Sequence, residues 1–228
     1  MATLKKLDFE PRSFEQNAWK NNKLVCGIDE AGRGAFAGPL VVGAAILPIN
    51  ASHNLLQDSK ILTEEQRNQA YSWIMQHCMS AYALCSHRTI DTINIYQATL
   101  QTMQKAFFHL IHSYTILHKL ESVLVDAMPL KLTQKSYNKL SINYFNYGEQ
   151  ISPSIAAASI VAKVTRDRLM KEYAQSFPLF DFPQHKGYGT TKHTLVLNAT
   201  KPSLIHRKTF ITKIKKYYEN VSTQHSLF

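Results

Sequence analysis

The sequence predicts a layered α/β domain, a mixed central sheet flanked by helices, followed by a basic, helical C-terminal region. Short apolar runs that end in an acid or a turn residue alternate with longer stretches of helical period. The first two runs lie too close together for a helical crossover, so they pair antiparallel in a sheet whose later strands are reached through helices. No internal repeat, low-complexity tract or Pro/Gly/Ser linker divides the 228 residues, so one principal domain is expected.

Residues 24–29, LVCGID, form a buried strand closed by an acid, and a glycine-rich turn leads to a second strand at 38–47, GPLVVGAAIL. Thr63 with Gln66 three residues later is a capping box, and Glu64 and Glu65 occupy the first turn, where the helix dipole favours acids. A helix from about 63 to 79 follows, then a strand at 81–88. Leu100, Met103, Phe107, Leu110 and Ile111 recur at helical spacing within 97–113 and mark a core-facing helix. SVLVD at 122–126 and SINYF at 141–145 are further strands. Ser152 before Pro153 supplies an N-cap and a first-turn proline for a helix reaching about Ala174. Its Ala156, Ala157, Ala158, Ser159 and Ala162 allow close backbone approach. Two shorter, more basic helices are expected near 192–199 and 208–219.

A hydrophobic content of 45% over this length supports a self-sufficient core. No run approaches the roughly 18–20 apolar residues of a membrane span, and MATLKKLDFEPR lacks the apolar stretch of a secretory leader, which predicts a soluble, cytoplasmic protein with no membrane partner. Cys26, Cys78 and Cys85 match neither a zinc knuckle nor a redox pair and read as reduced core thiols. The net charge is +10, and half of it falls in the last 28 residues through Lys201, Arg207, Lys208, Lys213, Lys215 and Lys216 against Glu219. Such a balance suits a polyanionic partner, and equally a solvated surface.

The chemistry concentrates in GIDEAGRG, residues 27–34, followed by Ala37-Gly38-Pro39. Two adjacent acids at a strand end, beside glycines bracketing an arginine, combine cation ligands with a backbone that approaches a ligand closely. Strand alternation sends neighbouring side chains to opposite faces, so Asp29 and Glu30 share one site only if the strand ends or twists there. A dinucleotide-binding fingerprint is disfavoured, because the third glycine comes one position late and a strand follows where a helix should start.

GIDEAGRG with AGPLVVGA, then Asp58-Ser59-Lys60, LVDA around Asp126, SIAAASIVAKVTRD at 154–167 and His185-Lys186-Gly187-Tyr188-Gly189-Thr190 stand in order along the chain. Together they resemble the ribonuclease HII family. The resemblance implies a ribonuclease H-like fold, with a catalytic domain at 1–200 whose core begins near 24 and a basic helical extension at 201–228 packed on or beside it. It implies four acids around divalent metal, Mg²⁺ or Mn²⁺. Asp29, Glu30 and Asp126 match the first three. The family's fourth acid is usually an aspartate after a glycine; here Glu149 follows Gly148 and takes that place, and its extra methylene bears on the choice of metal. Asp167, inside the next helix between Arg166 and Arg168, reads as a structural ion-pair partner. Four converging acids repel one another unless cations bind among them. In a two-metal scheme one ion activates the attacking water and the other stabilises the leaving oxygen, with the ions roughly 3.5–4 Å apart.

By the same resemblance, Gly32, Arg33 and Gly34 read the 2′-hydroxyl that separates RNA from DNA, Tyr188 packs on the sugar after the ribonucleotide, and Lys60 contacts a substrate phosphate. Lys163, Lys186 and the His206-Arg207-Lys208 cluster either clamp duplex phosphates or simply keep the surface solvated. The implied substrate is an RNA-DNA hybrid, or a DNA duplex containing ribonucleotides, cut to leave 5′-phosphate and 3′-hydroxyl ends by a monomer. The rival reading, a non-catalytic nucleic-acid-binding module, accounts for the basic tail and Tyr188 but gives the acids no role. A Gln and a final Phe in TQHSLF hint at a replication-clamp contact, although a frayed tail explains them as well.

Overall fold

Strand β1, Leu24–Ala31, and strand β2, Leu40–Ile46, are buried along nearly their whole length. That is why both read as continuous apolar runs with little alternation: each is covered on both faces. The computed structural model describes residues 10–132 and 134–212. Helix α1, Ser13–Lys20, precedes β1; α2, Glu64–His77, and β3, Met79–Cys85, follow β2. Next come α3, His87–Ile93, α4, Ile95–Tyr114, β4, Leu120–Asp126, and β5, Ser141–Phe145. The remaining helices are α5, Gly148–Ile151, α6, Pro153–Ser176, α7, Phe182–His185, and α8, Thr191–Ala199, with a further helical turn at 208–212. The rest of the helix expected at 208–219, and the TQHSLF segment, lie outside the described residues.

The five strands form one sheet in the order β3-β2-β1-β4-β5. β1 pairs antiparallel with β2 and β2 with β3, whereas β1–β4 and β4–β5 are parallel, so the sheet is mixed as expected. α4 covers one face, where Cys26, Ile28, Val42 and Ala44 pack with Met103, Phe107 and Leu110. α6 and α2 cover the other, where Ala45 and Leu47 meet Ala70, Ile74, Ala157 and Ile160. α6 lies almost on the strands themselves. A Cβ added to Gly27 would stand 2.1 Å from the Ser154 carbonyl carbon, and one on Gly43 would stand 2.2 Å from the Ala158 oxygen. The small residues of α6 thus set the distance at which its other side chains meet the sheet.

The capping box at Thr63 forms as expected, with Gln66 reciprocating. β3 starts and stops earlier than 81–88, because Ser86 turns the chain by accepting the Thr89 amide and caps α3 instead. The three cysteines are buried and free. No helix among the described residues is long and apolar enough to cross a membrane.

Candidate active site

The parallel ladder between β1 and β4 ends at the pair Ile28 and Val125, so the next residues, Asp29 and Asp126, emerge side by side at the carboxyl end of the sheet. Asp29 is 4% exposed and accepts the Glu30 amide at 2.6 Å. Ser159, on the small face of α6, also hydrogen-bonds to Asp29 and meets Ser59 at 2.9 Å. Asp126 accepts the Gly148 amide at 2.8 Å. Gly148 opens α5 directly after Tyr147, whose left-handed φ of 62° turns the chain so that Glu149 faces the strand ends. One carboxylate oxygen each from Asp29, Asp126 and Glu149 then lies within 4.8 Å of the others.

Glu30 is not in that group. β1 does not end at Asp29; it stays paired with β2 through Glu30 and Ala31, which preserves the alternation. Glu30 sits at the rim, 3.7 Å from Arg33, with a buried Oε2 that has no hydrogen-bond partner among the described residues. It remains within electrostatic reach of Asp126 and Glu149.

Burial raises all four carboxyls. Asp29 is held well above the usual range by burial and then by Glu30, Asp126 and Glu149. Glu30 is pushed up to about 7 by burial, with Arg33 opposing. Burial raises Asp126 against the Gly148 amide, and burial and then Asp126 raise Glu149. Lys60 approaches Glu149 at 3.5 Å but is largely exposed; burial is the largest single influence and lowers it, yet the carboxylates together, Glu149 foremost, raise it overall. Among the described residues the Glu149 Oε1 has no hydrogen-bond partner. Buried anionic oxygens converging with so little compensation are a set of hard oxygen donors, and a divalent cation fits them.

Beside the acids lies the turn between β1 and β2. Gly32 takes φ 88°, and a Cβ there would stand 1.9 Å from the Arg166 Nε, so no other residue fits. The Gly32 amide donates to the Tyr188 hydroxyl at 3.1 Å, and Ala35 bridges to Tyr188 as a single β pair. The Tyr188 ring lies 5.1 Å from the Arg166 guanidinium. Its loop is wired from behind by histidines. Ser203 donates its amide to the His206 Nδ1 at 3.0 Å, so the His206 proton lies on Nε2, facing the His193 Nε2 at 2.9 Å. The His193 Nδ1 then donates to the Tyr188 carbonyl at 2.9 Å. Burial lowers both histidines to about 4, His193 opposing His206 as well, so the pair is neutral.

Of the cations read as either phosphate clamps or solvated surface, two turn inward instead. His206 is buried against His193 and Ser203, and Arg207 is buried because the carbonyls of the β1–β2 turn offer it partners; Lys208 alone of that cluster is exposed. Asp167 does form an ion pair, but with Lys163 one helical turn earlier at 2.9 Å and with neither adjacent arginine. Lys186 donates to the Pro183 carbonyl. Sequence reasoning gave Ser159 only a packing role and Arg166 only a place beside Asp167, and it did not pair His206 with His193; the one signal for Arg166 is an arginine following an alanine-rich helical face.

The sequence model of the family described as Ribonuclease HII matches residues 26–213. The chain belongs to the ribonuclease HII family. The Ribonuclease HII of Bacillus velezensis is 44% identical over 211 residues, covering 91% of this chain and 77% of its own. The crystal structure of the ribonuclease H2 of Pyrococcus horikoshii OT3 superposes with a TM-score of 0.68 at 24% identity, covering 86% of this chain and 99% of that one. Bst-RNase HIII in complex with Mn²⁺ gives 0.61 at 15% identity, over 88% and 77%. These two structures share the ribonuclease H-like fold. Within the ribonuclease HII match fall all four acids, the Gly32–Arg33–Gly34 turn, Lys60 and Tyr188.

Proposed function

We propose that this ribonuclease H endonuclease hydrolyses the RNA strand of RNA-DNA hybrids and cuts on the 5′ side of ribonucleotides embedded in DNA, leaving 5′-phosphate and 3′-hydroxyl ends. The observation that carries the reading is the trio of carboxylates at the sheet end, Asp29 and Glu149 buried and Asp126 half-buried, with their oxygens within 4.8 Å, beside a glycine turn exposed at Gly34. Asp29, Asp126 and Glu149 would hold a divalent cation, with Glu30 at its rim. Mg²⁺ or Mn²⁺ would supply Lewis-acid activation of water and stabilisation of the leaving oxygen. The protein's own part is positional. Ser159 orients Asp29, the Gly148 amide orients Asp126, and Lys60 brings a positive charge to the open side, where a substrate phosphate approaches. The Gly32–Arg33–Gly34 turn and Tyr188, joined through the Gly32 amide, read the 2′-hydroxyl and the following sugar.

The test is cleavage of a DNA duplex containing one ribonucleotide, with Mg²⁺ and with Mn²⁺, beside an all-DNA duplex and a chelator control. Metal-dependent nicking 5′ of the ribonucleotide is expected. Cleavage of a long hybrid alone would remove the junction role from Tyr188, and binding without any cleavage would favour a non-catalytic nucleic-acid-binding module.

A further inference from the structure

Arg166 and Arg207 are both 0% exposed. Among the described residues no carboxylate comes within 4.0 Å of either guanidinium. Buried charges of this kind are ordinarily paired with an acid, because desolvation is costly. Here backbone carbonyls take the place of the acid. Arg166 donates to Pro39 at 2.9 Å, Ala37 at 3.0 Å and Lys186 at 2.8 Å. Arg207 donates twice to Gly38, at 3.2 and 3.1 Å, and to Arg33 at 2.9 Å. Four of these five carbonyls belong to the β1–β2 turn, and the fifth belongs to the loop that carries Tyr188.

Carbonyls drawn inward leave the amides of the same turn to find other partners. Gly32 gives its amide to Tyr188, Phe36 and Ala37 give theirs to Gly187, and Gly38 gives its own to Ile205. Among the described residues no acceptor takes the amides of Arg33 or Gly34, and Gly34 is exposed, with nothing near the place a Cβ would occupy. The turn thus presents two unused donors on a backbone fixed from beneath by two planar forks. Like charges buried close together disfavour each other: burial and then Arg166 push Arg207 down to about 9. A pair of apolar side chains would fill this space without that cost but would not grip carbonyls.

We propose that Arg166 and Arg207 are positioning residues for ribonucleotide discrimination, gripping the β1–β2 turn from inside so that the Arg33 and Gly34 amides and the Tyr188 ring are held in register for a sugar carrying a 2′-hydroxyl. This rests on the reading of that turn as the ribonucleotide reader. Lysine keeps the charge of either arginine but replaces a rigid fork by a single point donor, so it separates geometry from charge.

The experiment measures affinity in chelator, by fluorescence anisotropy, for a duplex with one ribonucleotide and for the all-DNA duplex. Wild type, Arg166→Lys and Arg207→Lys are compared, with melting temperatures for each. Phe107→Leu, on the core-facing side of α4, controls for destabilisation alone. The wild type should prefer the ribonucleotide; each lysine variant should lose about tenfold of that preference, the scale of a misplaced hydrogen bond, while holding the all-DNA duplex nearly as well. Phe107→Leu should lower the melting temperature and keep the preference. A preference unchanged in folded lysine variants overturns the assignment alone, whereas a wild type without preference removes both the assignment and the reading beneath it. Should the lysine variants not fold, NMR of the wild type decides. The arginine Nε–H signals should shift more with the ribonucleotide duplex than with the all-DNA duplex, and equal shifts overturn the assignment.

Discussion

Replacing Asp126 with asparagine should make the metal-free protein more stable while abolishing its cleavage. The Asp126 oxygen lies within 4.8 Å of those of Asp29 and Glu149, where two full charges repel by roughly 3.5 kcal/mol at an effective dielectric constant of 20. Asparagine removes two such pairs and still offers an oxygen to the Gly148 amide. The positive charge of Lys60, and protons retained on the raised carboxyls, take back much of the gain, which leaves about 1–3 kcal/mol. The assay is urea unfolding in chelator at about pH 8, above the raised Glu30 carboxyl. The variant midpoint should be higher in chelator, and added Mg²⁺ should raise the wild-type midpoint more than the variant's. A variant less stable than wild type in chelator would refute the idea that these acids are held together against their own repulsion.

Glu149→Asp withdraws the carboxylate by one methylene, so the ratio of cleavage rates in Mg²⁺ and Mn²⁺ should shift; an unchanged ratio and rate would place the fourth acid elsewhere. The neutral His193–His206 pair gives a pH signature. Their folded values, about 4, lie below the ordinary 6.5, so the unfolded chain binds more protons between these limits and the pair's contribution to stability falls as pH drops from 6.5 to 4. His206→Gln should therefore change the slope of stability against pH in that window by up to about 1.4 kcal/mol per pH unit, with the variant losing less on acidification. The raised carboxyls slope the other way and cancel in the comparison, and parallel urea midpoints for the two proteins would show that His206 is not buried neutral.

Asp29 and Asp126 were legible because each closes a short apolar run, and two parallel strands ending in register put their last side chains together. Glu149 was readable only through the family resemblance, as the acid after a glycine ahead of the SIAAAS helix, since an isolated glycine-acid pair says nothing of where it points. The sheet and the long helices followed from periodicity. α1 did not, because its eight residues offer only Phe14, Ala18 and Trp19 as apolar positions, too few to establish a period. The inward turn of Arg207 was hidden for a different reason: a sequence shows the sign of a charge but not its burial, and a basic tail resembles a phosphate clamp until its carbonyl partners are known.

An order in time follows from the order in the chain. All four carboxylates have left the ribosome once residue 149 emerges, but the turn beside them is fastened from beneath only by Arg166 and then by Arg207, with Ala37 and His206 forming the last bridge. On the proposed reading, a growing chain would possess every group needed to gather cations well before the proposed ribose reader is set. Selectivity would then be the last property acquired during synthesis, and a break ahead of Arg207 would strip it first.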